Sequence, residues 1–249
     1  MCTLILLRRP AHDWPVLIAA NRDEMRDRPW RAPGRHWPAR PEVRAGLDEL
    51  AGGSWLGLND HGLVAAVLNR VGSLGPAPGK RSRGELVLEA LDHTDAGAAA
   101  GALGALDGRA YRSFNLVVAD SRDAWWLRHD GGPRVERRAL PEGLTMLTAQ
   151  GADSADSARV RFHRPRFAAA EPPDPAGGRW ASWEALLASP EAEAGSLPFG
   201  AMRIEAGNGF GSVNASLIAL PHARLAGRRP LWRFAAGAPC SAPFAEVPV

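Results

Sequence analysis

Cys2-Thr3-Leu4-Ile5-Leu6-Leu7-Arg8-Arg9, Pro10-Ala11-His12-Asp13 and Trp14-Pro15-Val16-Leu17-Ile18-Ala19-Ala20-Asn21-Arg22-Asp23-Glu24 form one opening passage, and its reading decides the fold. Apolar, β-leaning runs at residues 3–9 and 14–20 flank a short polar link with a proline, which predicts a hairpin with Cys2 at the start of a buried strand. Such a hairpin folds the far end of its second strand, the polar tetrapeptide Asn21-Arg22-Asp23-Glu24, back beside Cys2.

Working outward, a second pair of strands is expected at residues 54–58 and 63–68, with Asn59-Asp60-His61-Gly62 as the turn, giving four strands before any helix. Ser82-Arg83-Gly84-Glu85 has the spacing of a capping box ahead of Leu86, Val87, Leu88, Ala90 and Leu91, so a helix should run to about His93. Residues 96–106, 157–170 and 180–187 also read as helical. Strand patterns recur at residues 114–119, 124–128, 134–138, 144–148, 213–220 and 231–234. Strands in pairs, helices in pairs and strands again make an α+β pattern, which two antiparallel sheets between helical layers would satisfy. The Pro/Gly-rich segments 72–79 and 172–178 separate no self-sufficient halves, so residues 1–249 read as a single domain.

The 249 residues, 45% of them hydrophobic, can bury a full core without staples, and the only cysteines, Cys2 and Cys240, stand at opposite ends. With no signal-type segment and no apolar run near the ~20 residues of a membrane span, a soluble cytoplasmic protein is expected. Lys80 is the only lysine in a chain of net charge +3, so arginine carries nearly all the positive charge. The basic stretch 26–44 holds Trp30, His36 and Trp37 but is broken by Pro29, Pro33, Pro38 and Pro41, which predicts a solvated loop or a lid rather than a nucleic-acid surface. Gly207-Asn208-Gly209-Phe210-Gly211 opens a strand rather than a helix and reads as a turn, and the histidines lack metal-ligand spacing. No cofactor or metal is expected.

The chemistry centres on Cys2. Removal of the initiator methionine would leave one residue holding both nucleophile and base, since an α-amine with a pKa of about 7.7–8.0 can accept a proton from a thiol near 8.5. In the tetrapeptide, the Arg22 guanidinium would lower the thiol pKa and the Asp23 carboxylate would aim the α-ammonium, with Asn21 and Glu24 as the flanking candidates. Asn69 ends a buried strand, where its carboxamide could donate to the oxyanion of a tetrahedral intermediate; Asn59 is better suited to shaping its turn.

Cys2-Thr3, Asn21-Arg22-Asp23-Glu24, Gly53-Ser54-Trp55-Leu56-Gly57, Ser82-Arg83-Gly84 and Phe114-Asn115-Leu116 resemble, in order, the signatures of the NRDE family, also called the transport and Golgi organisation family. More remotely, Cys2-Thr3 and the passage from Leu58-Asn59 to Leu68-Asn69 are similar to bile salt hydrolases and penicillin V acylases. That second resemblance implies an N-terminal-nucleophile (Ntn) hydrolase fold, a four-layer αββα sandwich, with Asn69 in the oxyanion position. Two departures stand out: Leu147-Thr148-Ala149 lacks the asparagine that the amidases carry after the threonine, and Gly211-Ser212-Val213-Asn214-Ala215-Ser216 lacks an arginine.

Three functions follow as expectations. The first is a cysteine hydrolase cleaving a non-peptide C–N bond of a small amide through an acyl-thioester on Cys2. The second, implied by the family's link to haem and lipid trafficking, is a carrier of haem or an acyl ligand in the same pocket. The third is a partner-binding module using the stretch 26–44.

Overall fold

In the computed structural model, which describes residues 2–225 and 227–249, the opening passage is the expected hairpin. Strands β1 (Thr3–Arg8) and β2 (Val16–Met25) pair antiparallel, from Thr3 opposite Asn21 to Arg8 opposite Val16. The expected loss of Met1 lies outside the described residues.

Contacts divide the chain into two compact units, Met1–Arg28 with Glu142–Pro248, and Pro29–Pro141 with the terminal Val249. The second unit is a meander. Its seven strands, β3 (Trp30–Gly34), β4 (Val43–Asp48), β5 (Leu56–Asn59), β6 (Val64–Asn69), β7 (Phe114–Ala119), β8 (Ala124–His129) and β9 (Glu136–Ala139), lie side by side in chain order. Helices α1 (Gly84–Leu91) and α2 (Ala96–Gly104) bury Leu86, Val87, Leu91, Ala99 and Leu103 in one core with Ala45, Ala65, Leu116, Val118 and Leu127.

Three expectations change here. Part of the stretch 26–44 is strand: β3 pairs with β4, and Pro33, the one proline within β3, is tolerated because β3 is an edge strand whose register slips between Arg31 and Gly34. Six strands therefore precede the first helix. Ser82 does not cap α1. Its hydroxyl accepts the Gly84 N–H at 3.2 Å, the N-cap is Arg83, and the helix stops at Leu91. The reason is close packing: Ser54 N–H donates to the Gly84 carbonyl, and a Cβ on Gly53 would come within 2.5 Å of the Gly84 backbone.

The first unit is assembled from both parts of the chain that flank the meander. It adds β10 (Gly143–Thr148), β11 (Gly151–Ala152), α3 (Ala158–Ala169), α4 (Ala181–Leu187), β12 (Phe210–Leu220), β13 (Leu231–Ala235) and β14 (Phe244–Val247). The seven-stranded order is β11-β10-β1-β2-β12-β13-β14, antiparallel throughout, with β2 and the fully buried β12 at its centre. Pairing with β12 carries β2 on through Met25, so the tetrapeptide is itself strand and not a tail beyond it. Alternation sends Ile5, Leu7, Leu17 and Ala19 into one core with Val160, Phe167, Trp183 and Leu187 of the helices. Two antiparallel sheets, each with two helices, make the α+β class expected from the pattern.

Candidate active site

Cys2 lies just before β1, half-buried, in a chain whose two cysteines are both free. The register that sets Thr3 opposite Asn21 brings the thiol to the polar end of β2, where the Asp23 backbone N–H donates to it. Burial raises the thiol pKa above its ordinary value and the Asp23 carboxylate raises it further; the positive charge at the chain's amino end, the Asp23 N–H and Arg22 act in the opposite direction.

The Asp23 carboxylate is almost sealed from water. One oxygen takes an Arg159 N–H at 3.0 Å in an ion pair whose side chains are 4% and 0% exposed. The other accepts the Ser212 hydroxyl at 2.7 Å, and that hydroxyl in turn accepts the Ile204 N–H at 2.9 Å. Arg159 also donates to the hydroxyl of Thr3, the residue after the nucleophile candidate. A bulge aims these groups: Ser212 sits opposite Asp23 and Asn214 opposite Arg22, leaving Val213 as the extra residue.

Of the other expected residues, Arg22 acts on the thiol as described above, and Asn21, Glu24, Asn69 and Asn59 have partners of their own. Asn21 donates both amide hydrogens at 2.9 Å, to the carbonyls of Leu187 and Met202, and so ties β2 to the end of α4 and the loop beyond it. Arg22 is buried, and strand alternation turns it to the sheet face opposite Asn21 and Asp23. Glu24 turns to the strand end, accepting the Met25 N–H at 2.9 Å with Arg28 at 3.8 Å. Asn69 belongs to the second unit, half-buried at the end of β6 opposite Phe114. Asn59 shapes its turn by accepting from the His61 and Leu63 amides, and it donates to the carbonyls of Leu91 and His93 at the end of α1.

Sequence reasoning missed Arg159, Ser212 and Thr3. A signal existed for the first: Arg159, His163 and Phe167 recur at i, i+4 and i+8, so a charged residue stands on the apolar stripe of α3. Arg159 also walls a cavity of about 180 Å³ with Thr148, Gln150, Ser196 and Phe199. Gln150 accepts from Thr148 there, in the segment where the sequence lacks the amidase asparagine. Among the described residues no group of three or more His, Cys, Asp or Glu is arranged to hold a metal ion.

The sequence profile described as Transport and Golgi organisation 2 matches residues 1–166. The chain belongs to that family. A Transport and Golgi organization protein 2 homolog of Bos taurus is 37% identical over 110 residues, 42% of this chain and 38% of that protein. The Homo sapiens homolog is 34% identical over the same shares. These matches therefore span well under half the length of the curated Transport and Golgi organisation 2 relatives. Among solved structures, the Caenorhabditis elegans ortholog of N-acylethanolamine-hydrolyzing acid amidase superposes with a TM-score of 0.55 at 11% identity, over 87% of this chain and 92% of that one. The C2A mutant of conjugated bile acid hydrolase from Clostridium perfringens gives 0.52 at 10% identity, over 100% and 97%. At such identities the likeness establishes the fold, which is that of the Ntn hydrolases. No helix among the described residues is long and apolar enough to cross a membrane.

Proposed function

We propose that this Transport and Golgi organisation 2 family member is an Ntn-type cysteine hydrolase that cleaves the C–N bond of a small amide through an acyl-thioester on Cys2. The observation that carries the reading is the setting of the Cys2 thiol, which accepts the Asp23 N–H beside a buried Arg159–Asp23 pair. Support comes from the fold, shared with one protein named as an amidase and another named as a hydrolase.

In this reading, removal of Met1 frees the α-amine of Cys2, which takes the thiol proton. The thiolate attacks the amide carbonyl carbon, and the tetrahedral intermediate collapses as the C–N bond breaks and the leaving amine takes that proton. Water then adds to the thioester, the C–S bond breaks, and a carboxylic acid departs as the thiol re-forms. Because burial holds the thiol proton tightly, the positive charges around it are needed to favour the thiolate. The oxyanion role of Asn69 rests on the sequence resemblance. The cavity beside Arg159, at about 180 Å³, suits a small acyl or amine group rather than a whole bulky ligand, since sites for drug-sized molecules run to about 300–1,000 Å³.

The test is to incubate the purified protein with a panel of N-acyl amides and follow both acid release and intact mass. Loss of Met1 together with a transient acyl adduct on the Cys2 peptide is expected. A retained Met1, or turnover that survives Cys2→Ala, would overturn the reading.

A further inference from the structure

Asn214, at the centre of the first unit's sheet, is only 1% exposed, yet its Nδ2 has no hydrogen-bond partner among the described residues. The polar groups around it on β12 are satisfied. The Ser212 hydroxyl donates to Asp23, and the Ser216 hydroxyl accepts the Trp232 indole N–H at 3.2 Å. A buried amide left unpaired costs free energy that a partner would recover, so it points to a donor held for a ligand.

The bulge at Val213 decides where that donor faces. Ser212, opposite Asp23, turns to the helix side, whereas Asn214, opposite Arg22, turns to the other face. Thr3 also faces the helices, where Arg159 holds its hydroxyl, so Cys2 before it alternates to the face of Asn214. Continuing the register of Thr3 with Asn21 by one residue sets Cys2 opposite Arg22. Cys2, Arg22 and Asn214 thus form a row across β1, β2 and β12 on one face. The outer members of such a row are two strand spacings, about 9–10 Å, apart at the backbone. With a near-attack gap of ~3–3.5 Å at the sulfur and a hydrogen bond of ~3 Å at the amide, about 3–4 Å of ligand spans the rest.

We propose that Asn214 selects which amides Cys2 takes: its Nδ2–H donates to a second oxygen of the substrate, set back from the carbonyl carbon that the sulfur attacks. This rests on the reading of Cys2 as the nucleophile. The span is too long for Asn214 to hold the scissile oxygen itself, which lies within a bond of the attacked carbon. With the buried Arg22 guanidinium between donor and sulfur, a carboxylate is the favoured acceptor and a neutral carbonyl the next.

The experiment alkylates Cys2 in the purified full chain with three chloroacetamides, from which the thiolate displaces chloride. They are N-chloroacetylglycine, its primary amide, and N-chloroacetylisobutylamine, which has the shape of the acid and no second oxygen. Peptide mass spectrometry gives each rate, with exposed Cys240 as the internal reference. Wild-type Cys2 should favour the acid over the isobutyl probe by more than about tenfold, with the amide between them. Asn214→Leu, close in size, should cut that preference about tenfold, and it should raise the melting temperature because it removes an unpaired buried donor. Asn214→Asp should drop the acid below the amide. Each preference is a ratio taken at one thiol in one variant, so a change in thiol reactivity cancels, and Asn214→Ala serves if the leucine variant fails to fold. Equal rates for all three probes in wild type, or a preference unmoved in the folded variants, would overturn the proposal and leave Cys2 as nucleophile. Cys2 inert to every probe while Cys240 reacts would sink both. Alkylation needs no turnover, so the expected preferences without any amide hydrolysis would sink the hydrolase reading alone.

Discussion

The two sheets have the same number of strands and opposite logics. In the second unit every strand pairs with its neighbour in the chain, and its buried polar groups act as local fasteners. Asn59 closes a turn and holds the end of α1, while Asp120 accepts the Ala96 N–H at the start of α2 and two amides of its own turn. In the first unit the central strands come from widely separated parts of the chain, and a buried ion pair, with Thr3 and Ser212 bonded to it, joins β2 to α3. Local pairing needs only packing and turns, whereas the long-range sheet concentrates charge where the candidate nucleophile sits.

The contrast can be broken most sharply at Cys2. If the proposed chemistry holds, Cys2→Ala should cut amide hydrolysis by about a thousandfold or more with the melting temperature nearly unchanged, because a half-buried thiol adds little packing. Next comes Asp23→Ala, which leaves Arg159 buried without its carboxylate. Denaturant titration should register a loss of about 3–5 kcal/mol, with hydrogen exchange rising first in β2 and α3. In the other unit, Asn59→Ala removes four hydrogen bonds and should cost about 2–3 kcal/mol while leaving turnover per folded molecule untouched.

A smaller effect separates the units by pH. His163, buried on α3 with its ring against the Glu191 carbonyl, has its pKa lowered to about 4, by burial first and then by Arg159 and Arg166. A neutral folded imidazole and a protonated unfolded one mean that its contribution is complete above about pH 6.5 and lost as pH falls toward 4. Wild-type stability should fall by about 2 kcal/mol over that window, and the fall should flatten in His163→Gln. Smallest of all, Arg31→Ala breaks the exposed Arg31–Glu49 pair at 2.6 Å and should change stability by less than about 0.5 kcal/mol.

What the sequence made legible follows the same division. The opening hairpin, the four helices and the meander strands β5 to β8 announce themselves through periodicity and turn residues. Strand β3 was hidden because prolines are permitted at an edge, and β14 because a short exposed closing strand carries little pattern. The order of the first sheet was hidden too, since no local signal says that residue 212 meets residue 23. Among the motifs carrying the family resemblance, Gly53-Ser54 and Ser82-Arg83-Gly84 prove to be a packing contact, and Gly57 leaves room for Ala45 and Leu91. Cys2-Thr3 and the tetrapeptide instead belong to the buried polar network. The place of Arg159 on the buried stripe of α3 was legible, but its partners were not, because they lie 136 and 156 residues away.

The placement of β12 beside β2 has a consequence for how the polypeptide emerges from a ribosome. Ser212 is translated 189 residues after Asp23, so throughout most of synthesis β2 offers an open edge with a carboxylate awaiting its guanidinium. The meander is complete by residue 139 and can consolidate while the rest is still being made. The half that houses the sulfur closes last, and in a cell its unfinished edge is where chaperones would be expected to bind.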